Sequence, residues 1–190
     1  GRGGVGAKAS AARDEDFIEY VHQANMHSTM MFFTEQGRLY WIKVYDIPEG
    51  NRQSKGRALQ NMINIQKGDK VCAFIHVKNL TDQEYVDNHY LIFATKNGLM
   101  KKTTLESYSR PRANGIIALG LREDDRLIRV TLTDGKSQML VASYNGKVVR
   151  FPEDTIRPMG RTASGVRAIK LDEDGKDRVV GMICVEEGSK

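Results

Sequence analysis

Three short loops of this 190-residue chain gather cations at a repeating position. The first holds Arg52, Lys55 and Arg57, the second Arg110 and Arg112, and the third Arg157 and Arg161. Just upstream, Lys43, Lys101, Lys102, Lys147 and Arg150 lie on or beside the strand-like run that leads into each loop, and Arg167 follows the third loop. Any one such loop reads as an ordinary solvated turn. Three in phase read as a periodic cationic rim, which suits a phosphate backbone because that offers regular charge without requiring contact to base edges. Catalysis has no comparable support, since no Ser/His/Asp or Cys/His arrangement stands out and the carboxylates fall in turns. No catalytic residue and no metal ligand set is expected.

The phase of these loops is set by a glycine repeat. Gly6, Gly56, Gly115 and Gly165 each open a short apolar stretch, at spacings of 50, 59 and 50 residues. After each stretch comes an acidic turn: Asp14-Glu15-Asp16, Lys67-Gly68-Asp69, Glu123-Asp124-Asp125 and Asp172-Glu173-Asp174. A second strand follows, rich in β-branched or aromatic residues, at Phe17, Val71, Leu127 and Val179. These runs are too short for helices and are bounded by turn signals.

Next comes a hairpin, present three times, with turns at Gly37, Gly98 and Gly146. Asn97-Gly98 and Asn145-Gly146 predict type I′ turns, in which both central residues need positive φ. Four short strands per period of about 50 residues imply an all-β, propeller-like array of four-stranded blades, with repeat units near 6–55, 56–114, 115–164 and a partial 165–190 in one domain over 1–190. Thr81 to Asn88 breaks the rhythm and reads as a polar loop. Four repeat glycines against three hairpins predict an incomplete arc, with open edges near Gly1 to Ala12 and Val179 to Val185. A strand of about six residues is roughly 20 Å long. The basic loops and the acidic turns should therefore occupy opposite edges of each blade.

Composition sets the outer limits. Charged residues make up 28% and hydrophobic ones 40%, so the chain should fold. The net charge of +5 permits a polyanion partner without requiring one. Cys72 and Cys184, the two cysteines, read as buried free thiols, with neither a disulfide framework nor a zinc site. No run approaches the roughly 18 apolar residues of a membrane span and no signal peptide is visible, so the expected compartment is the cytoplasm. A sequence that opens on Gly1 reads as a fragment of something longer.

The start, Gly1-Arg2-Gly3-Gly4-Val5-Gly6-Ala7-Lys8, fits G-x-G-x-x-G as a string, but no strand precedes it and no βαβ unit follows. It is not a P-loop either, because Ala7 and Ala9 interrupt the required Gly-Lys-Ser/Thr order. Gly3, Gly4 and Gly6 permit unusual φ and close backbone approach to phosphates, with Arg2 and Lys8 adding charge.

R-G-G-x-G at Arg2 to Gly6 resembles the core of the box found in the C-terminal domain of the DNA gyrase A protein. DEDFIEYVHQAN, FFTEQGRLYWIKVYDIPEGNRQSKGRALQNMI, NGLMKKT, NGKVVRFPEDTIRPMGRTASGVRAIKL and VVGMI extend the similarity over essentially the whole chain. The family box begins with Gln and a further Arg, and here Gly1 stands at that Arg position. The resemblance implies a β-pinwheel, a disc whose blades exchange strands, which wraps duplex DNA on its basic rim and sets the sign of DNA crossing. It further implies a heterotetramer of the gyrase A and B proteins, with the cleaving tyrosine, ATP hydrolysis and Mg2+ all outside this chain. The similar domain of topoisomerase IV is the nearest alternative, and a propeller serving as a protein-interaction platform is the alternative of a different class.

Overall fold

A computed structural model describes residues 25–47 and 63–185. Its strands are β1 Thr29–Thr34, β2 Arg38–Lys43, β3 Val71–Val77, β4 Tyr90–Thr95, β5 Leu99–Thr104, β6 Ile116–Ile117, β7 Leu127–Thr133, β8 Gln138–Ser143, β9 Val148–Pro152, β10 Val166–Arg167 and β11 Val179–Val185. They form three antiparallel sheets among the described residues. The strand orders are β3-β1-β2-β6, β10-β5-β4-β7 and β11-β8-β9.

The order of strands in space is not their order in the chain. Hairpin β4–β5 belongs to the second sheet, yet the next strand, β6, returns to pair with β2 of the first sheet through Arg38↔Ile117 and Leu39↔Ile116. One period later β10 returns in the same way to β5, pairing Met100 with Val166 and Leu99 with Arg167. The blades therefore exchange strands, as the pinwheel expectation requires. The repeat unit 115–164 supplies β6 to the first sheet, β7 to the second and the β8–β9 hairpin to the third.

The repeat glycines mark these returns. Gly115 has φ 73 and Gly165 has φ 99. A Cβ on Gly115 would lie 2.6 Å from Tyr40 Cε1 and 2.7 Å from the Leu39 carbonyl oxygen. A Cβ on Gly165 would collide with the carbonyl of Met100, which holds the Leu39 position of the next blade. Both the left-handed backbone and the close approach exclude a side chain.

The middle strands face a neighbour on each side, so they read as continuous apolar runs instead of alternating ones. Met31 and Phe33 of β1 pack towards the second sheet, meeting Leu91, Phe93, Leu105, Tyr108 and Leu127. Met30 and Phe32 point the other way, into a cluster with Tyr40, Ile42, Val44 and Ile47. Ile92 and Ala94 of β4 face the third sheet and meet Met139, Val141, Ile156 and Ile169. Phe33 and Phe93 meet edge to face, with centroids 5.5 Å apart and planes at 80°, and burying each such side chain is worth about 1.5–3 kcal/mol.

Several local expectations are corrected. Asn97 and Asn145 do not adopt positive φ; the glycines after them do, at 94 and 92. Gly98 N donates to Thr95 O and Gly146 N to Ser143 O, so each hairpin is a tight turn followed by a left-handed glycine, the three-residue bulged form. Residues Gln83–Asp87 form a short helix, α1, instead of a loop. The Asp82 side chain caps it by accepting from Tyr85 N at 3.2 Å. Val179–Val185 is not unpaired: it pairs with β8 on one side and forms the edge strand of the third sheet. Cys72 and Cys184 are half-buried where full burial was expected. The stretch Gly1 to Ala12 lies outside the described residues.

Candidate nucleic-acid interface

Each hairpin has two unlike ends. At the turn end, a threonine or serine holds the chain: Thr34, Thr95 and Ser143 accept from the amides of Arg38, Leu99 and Lys147, each at 3.1 Å. The last carboxylates of the second and third acidic turns dock on the same end, and in the third hairpin the docking carboxylate is Asp177, three residues beyond the expected Asp172–Asp174 turn. Asp69 Oδ1 accepts from Gln36 N, Asp125 Oδ1 from Asn97 N and Asp177 Oδ1 from Asn145 N, at 3.1, 2.9 and 3.0 Å. The acidic turns are therefore turn caps. Asp177 and Asp174 are held below the usual carboxylate range, chiefly by backbone amides that donate to them: Asp172 N for Asp177 and Lys176 N for Asp174.

The opposite end of each hairpin runs through a 3-10 turn, Val44–Asp46, Leu105–Tyr108 or Glu153–Thr155. The second and third of these turns lead into basic loops. Arg110 and Arg112 leave the second blade, Arg161 leaves the third, and all three line one cleft of about 330 Å³ with Ile116, Glu106 and Ser107. An Arg161 Nη1–H donates to the carbonyl of Ile117, on the strand that has returned to the first sheet. Gly120 N donates to Ala163 O at 3.2 Å, so the third loop lies against the segment that follows β6. The expected phasing of basic loops becomes physical proximity here. Arg157, on the third loop, and Lys43, at the matching end of β2, are both exposed. The acidic turns and the basic loops thus occupy opposite ends of the hairpins, as expected, although Glu106 lines the arginine cleft itself.

Other predicted residues fall elsewhere. Lys101 and Lys102 do not face solvent: their exposures are 0% and 4%. Lys101 Nζ donates to Ala118 O at 2.6 Å and to the carbonyl of Arg161, and it lies 4.9 Å from the centre of the Phe93 ring. Burial, reinforced by the Arg161 charge, lowers its pKa from 10.5 to about 7. The Tyr108 hydroxyl donates to the same Ala118 carbonyl at 2.7 Å, and burial raises its pKa. Lys102 Nζ pairs with Glu153 Oε1 at 3.2 Å. Neither lysine can reach a duplex without leaving the interior, so both are internal struts.

Lys147 is exposed but sits at the acidic end, donating to Lys170 O at 2.5 Å and lying 3.8 Å from Asp172 Oδ1. Arg150 is exposed midway along β9, and Arg167 is exposed on β10. Neither lines the arginine cleft. Arg2, Gly3, Gly4, Gly6, Lys8, Arg52, Lys55 and Arg57 lie outside the described residues. Among the described residues no group of three or more His, Cys, Asp or Glu could hold a metal ion, and no helix is long and apolar enough to cross a membrane.

Comparison with known proteins agrees with this architecture. A family model described as the DNA gyrase C-terminal domain, beta-propeller, matches three times, over residues 28–78, 89–134 and 138–186. The chain is 44% identical over 170 residues to the DNA gyrase A protein of Haemophilus influenzae, covering 90% of this chain and 19% of that protein. It is 44% identical over 182 residues to the DNA gyrase A protein of Salmonella typhimurium, covering 96% of this chain and 20% of that protein. The chain thus spans about a fifth of the length of these curated relatives. Among solved structures, the C-terminal domain of DNA topoisomerase IV superposes with a TM-score of 0.72 at 26% identity, covering 85% of this chain and 48% of that one. Three matches to the family model, spread over most of the chain and in register with the three hairpins, place it in one family: the chain belongs to the DNA gyrase C-terminal domain family of β-propellers.

Proposed function

We propose that this chain binds duplex DNA along its basic loop edge and wraps it, as the C-terminal domain of a gyrase A protein. The observation that carries this reading is the cleft in which Arg110 and Arg112 from one blade meet Arg161 from the next. Arginines repeated at one level of successive blades can follow a curved phosphate backbone, and they need no base contacts to do so. Bending 20–30 bp costs of order 1–6 kcal/mol, which the phosphate contacts must offset. Identities of 44% and 41% to DNA gyrase A proteins, over 90–96% of this chain, favour the gyrase assignment.

In this reading the fragment has no chemistry of its own. Strand cleavage, Mg2+ binding and ATP hydrolysis belong to the rest of the gyrase A protein and to the gyrase B protein in a cytoplasmic heterotetramer, and this domain fixes the sign of crossing for negative supercoiling. Ligation of nicked circular DNA in the presence of the fragment tests the proposal. Chiral wrapping leaves a change in linking number that grows with protein added. Binding without such a change would reduce the domain to a simple DNA anchor.

A further inference from the structure

The acidic edge contains one place where the repeat reverses its charge. At the junction of the first and second sheets, Glu35 N donates to Lys70 O, and Glu35 O accepts from Leu127 N at 2.9 Å. The Glu35 side chain reaches Arg126 Nη1 with Oε2 at 3.0 Å, so this junction neutralises its own arginine. At the next junction the same backbone bonds are made by Lys96: its N donates to Arg126 O and its O accepts from Val179 N at 2.9 Å. Arg178 takes the place of Arg126. Lysine stands where the first junction has glutamate, and Arg178 receives no carboxylate partner among the described residues.

The consequence is a cationic cleft of about 530 Å³ on an edge that is otherwise acidic. Lys96, Arg126, Lys176 and Arg178 line it together with Tyr144 and Asp177. Asp177 is already committed, since its two oxygens accept from Asn145 N, Arg178 N and Asp172 N. Tyr144 is 58% exposed, and the Arg178 guanidinium lies over its ring at 4.2 Å from the centroid. That stack fixes the guanidinium and leaves a flat aromatic platform beside it.

We propose that this cleft is a binding site for a compact phosphate-bearing anion, distinct from the duplex-binding edge. Its volume lies within the roughly 300–1,000 Å³ of small-molecule sites. Three cations outside any ion pair among the described residues, Lys96, Lys176 and Arg178, converge on the cleft beside the Glu35-paired Arg126, and they suit a ligand with several charged oxygens. An extended polyanion is disfavoured because Asp124, Asp125, Asp172, Glu173 and Asp174 stand on the same edge. A duplex laid across would meet them, whereas a compact group enters between them. Inorganic polyphosphate and the phosphate chain of a nucleotide share this chemistry, and the Tyr144 platform would distinguish them by stacking a base.

Calorimetric titration of the chain with tripolyphosphate, and separately with a nucleoside triphosphate, tests the site. Saturable binding of tripolyphosphate is expected, weakened at least tenfold by Lys96→Glu, which recreates the Glu35–Arg126 arrangement. Lys96→Gln, which alters the surface less, should fall between, and both variants should keep the wild-type circular dichroism. Tighter binding of the nucleotide, lost in Tyr144→Ser, would identify the nucleotide as the source. Equal binding of the two would identify the phosphate chain alone. No saturable binding, or equal affinity in wild type and Lys96→Glu, would overturn the proposal. So would a Lys96→Glu variant that loses duplex binding in parallel, because the cleft would then be part of the DNA surface.

Discussion

Lys102 Nζ lies 3.2 Å from Glu153 Oε1 across the junction of the second and third sheets, with side-chain exposures of 5% and 0%. Glu153 also accepts from Thr133 Oγ1 at 2.9 Å and from Ser137 N at 2.8 Å, so its carboxylate ties three elements together. Trp41 does the same task one junction earlier, donating from Nε1 to Tyr108 O at 3.1 Å. Removing one partner of a buried pair strands the other charge, at a cost of about 3–5 kcal/mol. Glu153→Gln should therefore lower the urea midpoint strongly. Lys102→Met should cost less, because Glu153 keeps two donors. The double variant should be more stable than the sum of the single losses predicts, and strictly additive losses would show that the pair is not coupled.

Gly115→Ala is the second expected lesion. The substitution combines a φ of 73 with a Cβ placed 2.6 Å from Tyr40 Cε1. The damage is local to the returning strand β6, which pairs with Arg38 and Leu39 only. A left-handed alanine costs roughly 1–2 kcal/mol before any clash, so a total loss above about 2 kcal/mol is expected. Hydrogen exchange should show faster opening of Ile117 and Ala118 than of β4. Uniform exchange across the chain would mean that β6 does not open as a separate unit.

The strands were legible because their apolar runs are short and glycine-bounded, and Asp69 and Asp125 were legible within acidic turns, whereas Asp177 lies beyond the turn read at 172–174. Strand exchange came from the family resemblance and from no local pattern, because pairing of β6 with β2 depends on residues almost 80 positions apart. The burial of Lys101 and Lys102 was hidden for a related reason: β5 is covered on both faces, so no alternation marks its interior. Alignment on the hairpin glycines would have revealed it, since Tyr40 and Trp41 occupy the same two positions after Gly37. By the same alignment Glu153 falls where Val44 and Leu105 are buried, a carboxylate at an apolar position. In the basic loops, the sequence showed the phase of the arginines, while their convergence on one cleft needed the stacking of loops from two blades.

Replacing Arg110 and Arg112 with Gln tests the basic edge. Both side chains are exposed, so folding should be unaffected. Each phosphate contact contributes about −0.9 to the slope of log K against log salt on B-DNA. The double variant should flatten that slope by about two units, with little change in sequence preference. An unchanged slope would place the duplex away from this cleft.

Lys101 gives the chain a characteristic pH response. The folded chain loses this proton near pH 7, because burial and Arg161 disfavour the ammonium, whereas the unfolded chain holds it to the ordinary value of 10.5. Between these limits the unfolded state carries more protons, so stability rises with pH. The penalty for burying the charge is fully present below about pH 7 and is relieved as pH climbs towards 10.5. Lys101→Met keeps most of the stem volume and removes the titration, while the Tyr108 hydroxyl still serves Ala118 O. Urea unfolding at pH 6, 7.5 and 9 should show wild type gaining on the variant by up to about 1.4 kcal/mol per pH unit above pH 7. Below pH 7 the difference between them should level off. Parallel profiles across the whole range would mean that Lys101 stays charged in the folded chain, and its two carbonyl partners would then be solvating an ammonium.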